Sequence, residues 1–184
     1  PSDYMAAKLI EDGLVQQIDY GNIPNFSYVD DEFKNLSYDP DNLYTVPYTW
    51  GCVGLIYNTK YVTGDVTSWS VMWDENYAGK ILMFDNPRDA YSIAELLLGI
   101  SVNTTDVTEL DKATAKLSEQ REMVQSYVMD QVFSTMENEE AWIAPYYAGD
   151  YLTMATENEN LAFCFPEEGF NQFVDVICIP SSAQ

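Results

Sequence analysis

Histidine is missing from this 184-residue chain altogether. That absence removes Ser-His-Asp and Cys-His nucleophile systems, histidine-containing zinc sites and histidine proton shuttles. Enzymes without histidine exist, so the enzymatic option is weakened rather than closed. Basic residues are scarce, 8 Lys and Arg against 30 Asp and Glu, for a net charge of −22. This argues against nucleic acid or anionic membrane as a partner, because phosphate backbones need a basic surface. Cysteine is sparse too. Cys52, Cys164 and Cys178 are odd in number and share no metal spacing, so neither a disulfide framework nor a cysteine metal site is expected. Cys164 and Cys178 sit in the apolar runs LAFCF and VICI and read as small buried hydrophobes. No run is long and apolar enough for a membrane-spanning helix, and no signal-peptide pattern opens the chain. The chain starts at Pro1-Ser2 rather than Met. It reads as a processed or excised piece, so the missing leader says nothing about location.

What is present supports a packed core. The chain is 47% hydrophobic, and its length suits one ordinary domain, or one lobe plus part of another. The acidic excess raises the local concentration of cationic ligands. It serves solubility equally well.

Strand and helix signals alternate along the chain. Ser2 or Asp3 can cap a helix running to about Asp12, with Gly13 as its stop. Residues 22–42, rich in Asn, Asp and Pro, read as loop with short turns. Residues 44–46 and 53–57 read as two strands joined by the link Pro47-Tyr48-Thr49-Trp50-Gly51. Ser68 caps a short helix carrying Trp69 and Trp73, which read mainly as core. Strands follow at 81–84, 124–128, 142–146, 161–165 and 173–179. Helices are expected at 89–98 (stopped by Gly99), from Asp106, at 130–136, and from about 148 to 157. This rhythm predicts an α/β fold, three-layered around a mixed central sheet, with a boundary near Trp50-Gly51.

The most informative stretch is VTSWSVMWDENYAGKILMFDNPRD, residues 66–89. A tryptophan pair and a Gly79 turn lead into an apolar strand, which ends in Asp85-Asn86-Pro87-Arg88-Asp89 at a helix start. A strand delivering polar groups to a helix N-terminus is a common ligand site in α/β proteins. The pattern resembles the W-x-x-x-W…Y-x-G-K/S…D-x-x-R-D/E signature of extracytoplasmic polyamine-binding proteins, the spermidine/putrescine receptors of ABC importers. Further likeness lies in PSDYM…GLVQQID, VPYTWG, GISVNTTD and AWIAPYYAGDY…FPEEG…FVDVICIP, and together these cover the chain.

The resemblance implies a type II periplasmic-binding-protein-like lobe plus part of a second lobe, truncated at both ends relative to the family. Residues 1–50 would then be a partial amino-terminal lobe with the first hinge strand. Residues 51–175 would be the second α/β lobe and 176–184 the second hinge crossing. It implies a polyamine ligand, a membrane permease as partner, an extracytoplasmic location (periplasm, or the surface of a Gram-positive cell) and a monomer when complete. No cofactor is implied.

By the same resemblance Ser2 and Tyr4 match a polar-aromatic pair at a helix start. Asn86 and Asp89 fall where the family often has two carboxylates, the first here being an amide. Tyr147 falls at an aromatic platform, often Trp, and Phe173 and Asp175 match an aromatic and a carboxylate on one strand face. Carboxylates would pair with ammonium groups and aromatic faces would cover the methylenes.

Each of these residues also has a plainer reading. Asp89 suits a helix N-terminus whatever its function. Asp175 suits the polar face of an alternating strand. Arg88 reads as a structural partner for a neighbouring acid, and Tyr146 as a packed residue. Two other functions compete. Adjacent Tyr146 and Tyr147 resemble the tyrosine pair of ferric-ion receptors of the same superfamily. A carboxylate-pair hydrolase would need two acids flanking one bond, a role in which Asp89 and Asp175 can be imagined. A lobe that folds but binds nothing is the third possibility.

Overall fold

The computed structural model describes residues 1–183. In chain order its elements are α1 (Asp3–Glu11), β1 (Thr45–Asn58), β2 (Ile81–Phe84), α2 (Pro87–Leu97), α3 (Val107–Gln120), β3 (Val124–Val128), α4 (Gln131–Glu137), β4 (Ile143–Tyr147), α5 (Ala148–Glu157), β5 (Leu161–Cys164) and β6 (Gln172–Cys178). Two compact units emerge. One is Pro1–Gly51 with the segment from Gln172 on, and the other is Cys52–Asn171.

The Cys52–Asn171 unit is built on a mixed sheet of order β3-β2-β4-β1-β5. β2 runs parallel to β3 and β4, whereas β1 runs antiparallel to β4 and β5. All four residues of β2 are buried, as a strand covered on both faces by other structure must be; a continuous apolar run is the sequence sign of that position. The core gathers Leu55, Ile56, Trp69, Met72, Ile93 and Ile143, none of them exposed to solvent. Trp69 also donates from Nε1 to the Gly169 carbonyl at 2.9 Å, so its one polar atom is satisfied inside the core.

Capping explains the helix starts. Asn86 accepts from the Arg88 N–H at 3.1 Å and Pro87 occupies the first helical position of α2. Gly99, at φ 69°, ends that helix in a conformation costly for other residues. Asp106 accepts from the Thr108 N–H at 2.8 Å and starts α3.

The other unit has a much thinner core, Ala6 with Val174 and Val176, flanked by partly buried Phe33, Leu36 and Tyr38. Large apolar side chains stay open to solvent there, including Tyr28, Tyr48 and Trp50. Its long loop is tied down by Asp39. That buried carboxylate accepts from the backbone N–H groups of Leu43, Tyr44 and Thr45 and from the Thr45 hydroxyl.

Several expectations need correction. The two strands expected around residues 47–51 are one continuous strand of 14 residues, β1. Pro47 and the exposed Tyr48, Thr49 and Trp50 mimic a link, but extended backbone tolerates Pro where no ladder N–H is needed. The short helix expected behind Ser68 is present, as a 3-10 helix over Trp69–Trp73 with Ser68 as its cap. Cys164 and Cys178 are only partly buried, and the buried thiol is Cys52. β5 stops at Cys164 and buries only Leu161, leaving Phe165 exposed. Ser2 sits at the N-cap of α1, yet its side chain makes no cap bond. No helix among the described residues is long and apolar enough to cross a membrane.

Candidate functional site

Asp89 sits in the first turn of α2, 5% exposed. Three neutral side chains donate to it. Asn86 Nδ2 and the Tyr147 hydroxyl each reach Oδ2 at 2.8 Å, and Asn171 Nδ2 reaches Oδ1 at 3.2 Å. The local fold explains the first bond: the Asn86 amide that caps the helix with its oxygen turns its nitrogen onto the acid three residues on. The second follows from Tyr147 closing β4. The third is fixed by β1, because the Val53 N–H donates to the Asn171 carbonyl at 3.0 Å.

Burial pushes the Asp89 carboxyl above its ordinary range, against the opposing pull of the Tyr147 and Asn171 bonds, the Arg88 charge and the Asn86 bond. The donors therefore do not fully repay the lost water, and a cation would. Burial and the Asp89 charge push the Tyr147 phenol far up, so it remains a donor. Tyr146 is 2% exposed, as expected of a packed residue, and its hydroxyl turns elsewhere, to Asp130 Oδ1 at 3.5 Å. Its phenol is pushed up to about 12, chiefly by burial.

In the other unit Ser2 and Asp175 face each other in an antiparallel bridge. The Ser2 hydroxyl donates to Asp175 Oδ1 at 2.6 Å, which is where the missing cap bond has gone. Val174 and Val176 are the buried face of β6, so Asp175 lies on the more open face with Phe173. The Phe173 ring lies over Gly51, where a Cβ would come within 2.5 Å of it. Only glycine lets that ring lie so close to the backbone of β1. Tyr4, on the first turn of α1, is 43% exposed.

Of the seven residues picked from sequence, Ser2 and Asp175 meet directly, as do Asn86, Asp89 and Tyr147. Asn171 was missed. It stands 82 residues from Asp89, and no local pattern marks it. Chemically, each unit offers a carboxylate beside aromatic carbon and hydroxyl donors, a setting suited to holding an ammonium group. Among the described residues no group of three or more His, Cys, Asp or Glu is placed to hold a metal ion.

The spermidine/putrescine-binding periplasmic protein 1 of Haemophilus influenzae is 29% identical over all of this chain, which covers 51% of that protein. The spermidine/putrescine-binding periplasmic protein of Escherichia coli is 30% identical, with 53% of its length covered. The chain thus spans about half the length of the curated relatives it matches. Among solved structures, the spermidine/putrescine ABC transporter substrate-binding protein PotD of Streptococcus pneumoniae, in complex with calcium and HEPES, aligns with a TM-score of 0.87 at 30% identity, over all of this chain and 57% of that one. The Tp0655 (TpPotD) lipoprotein of Treponema pallidum aligns with a TM-score of 0.93 at 25% identity, over all of this chain and 59% of that one. The mixed α/β fold expected from sequence is the fold of these proteins. The family model for bacterial extracellular solute-binding proteins matches residues 2–184, and the chain belongs to that family.

Proposed function

We propose that this chain belongs to an extracytoplasmic receptor that captures polyamines of the spermidine/putrescine class for the membrane permease of an ABC importer. The observation that carries the reading is Asp89, a buried carboxylate held by three neutral donors and still pushed up by burial. Such a group gains most from a desolvated ammonium. Asp175 offers a second carboxylate with Phe173 beside it on the same strand face, and the names of the relatives point to the same ligands. Spaced carboxylates for the amines and aromatic faces for the methylenes are what a linear polycation requires. Asn86 and Asn171 act as positioning groups for Asp89, and Ser2 does so for Asp175.

The ferric alternative is less well supported. It would need Tyr146 and Tyr147 as phenolates on one ion, yet both phenols are pushed up and their hydroxyls turn to different carboxylates. Binding rather than hydrolysis is the role named for the relatives. Calorimetric titration with putrescine, spermidine and spermine, with ferric citrate alongside, tests the reading. Saturable heats from the amines alone are expected. A response to iron alone, or to nothing, overturns it.

A further inference from the structure

A cavity of about 280 Å³ lies wholly within the Cys52–Asn171 unit. One wall is a single stripe of α2, where Arg88, Tyr91, Ser92 and Glu95 recur at helical spacing. The other side brings Val102, Asn103 and Thr104 from the turn before α3, and Leu110 from α3 itself.

Glu95 is the anomaly. It is 4% exposed, and glutamate is almost never so buried without a partner. Yet among the described residues no hydrogen bond reaches its carboxylate, and the four ion pairs lie elsewhere. Its oxygens are not sealed away either. The one fully enclosed side-chain atom lacking a partner among the described residues is Asn58 Nδ2. The carboxylate of Glu95 therefore opens onto the cavity that its helix stripe lines. Burial pushes its carboxyl up, the Arg88 charge opposes that, and Glu109 adds to it. An unpartnered buried carboxylate in a cavity is a site waiting for a cation.

We propose that this cavity is a binding site for a small primary alkylammonium ion, with Glu95 as its anion. The lining selects the ligand class. A calcium ion takes about six to eight oxygens, several of them usually carboxylate, whereas this lining offers one carboxylate with the neutral Ser92, Asn103, Thr104 and Asn171 and the carbons of Pro87, Tyr91, Val102 and Leu110. Arg88 lines the same cavity, and its positive charge weighs against a polycation more than against a single ammonium. At ~30 Å³ of liquid per water, a cavity of about 280 Å³ equals about nine waters, room for an ammonium with a short alkyl chain. The site stands apart from Asp89, although Asn171 both lines the cavity and donates to Asp89.

The test is methyl NMR of Val102 and Leu110 during titration of the whole chain with n-butylammonium, with n-butanol and potassium as controls. Saturable shifts with the amine alone are expected. Glu95→Gln keeps the shape and should weaken the amine at least about tenfold, the loss of a charged hydrogen bond. Asp89→Asn should leave the Val102 and Leu110 shifts in place. Glu95→Leu should abolish them while raising Tm, since it replaces a buried charge with apolar volume; that rise separates lost binding from lost fold. Shifts that survive Glu95→Gln, shifts of equal size with butanol or potassium, or no saturable shift would overturn the assignment.

Discussion

Asp89 and Asp175 are the two carboxylates of the candidate ligand set, and the two units hold them by opposite means. Asp89 is buried at a helix start, gripped by donors from three separate parts of the chain and backed by the larger core. Asp175 lies on the open face of a strand whose other face covers a small core, and a single serine hydroxyl holds it. The difference matters for recognition. A carboxylate fixed among neutral donors has a set position and an unmet demand for charge. A half-exposed one is still solvated and can follow its ligand. Under the proposed function Asp89 is a rigid anchor for an ammonium group and Asp175 an adaptable one.

The contrast in cores gives the largest expected effect. Trp69→Ala should cost about 3–5 kcal/mol in urea unfolding of the Cys52–Asn171 unit, whereas Val174→Ala in the smaller unit should cost about 1.5 kcal/mol. Equal losses would mean the two cores are not different in kind. For the ligand, Asp175→Asn should weaken polyamine binding by about 2–4 kcal/mol in calorimetry, because a charge pair loses one partner. An unchanged affinity would remove Asp175 from the site. Phe173→Ala should cost less, about 1–3 kcal/mol, through lost stacking on the methylenes.

Asn171→Ala should weaken binding by only about 0.5–1.5 kcal/mol, since it deletes one neutral bond to Asp89. It should also move the Asp89 carboxyl further up, which carboxyl NMR would register. The smallest effect is in pH. The folded carboxyl of Asp89 lies above its ordinary value of 3.8, so the folded state holds that proton more tightly than the unfolded one. Between 3.8 and the raised value, Asp89 therefore lowers stability as pH rises and restores it as pH falls. Amine binding favours the ionised form. It should weaken as pH falls through that window and release a proton there, as calorimetry in two buffers of different ionisation heat would detect.

The legible parts of the structure were those written in local chemistry. The apolar run of β2, the Asn-Pro start of α2, its glycine stop and the extent of β3 depend on neighbours in sequence. The resemblance added the ligand set, since nothing in the run FVDVICI alone makes Asp175 more than a polar-face residue. What escaped depends on distant contacts. Ser2 has the right type and place for a helix cap, but a carboxylate 173 residues away takes its hydroxyl. Asn171 is an ordinary turn residue until the sheet brings it to Asp89. Glu95 falls in a helix where glutamate is unremarkable, and only the cavity makes its burial meaningful. The continuity of β1 was hidden because its exposed middle carries the residue types of a turn.

The donors to Asp89 have a kinetic consequence. Tyr147 and Asn171 follow it by 58 and 82 residues. During synthesis α2 therefore emerges with its acid long before the groups that will hold it. Until β4 and the segment ending at Asn171 have docked, that charge sits cheaply in water. The anchor is complete only when contacts that close long loops have formed. An amine can recognise the finished arrangement but has nothing to grip on the way there. Ligand should accordingly slow unfolding while leaving the rate of folding untouched, as expected for an interaction absent from the transition state.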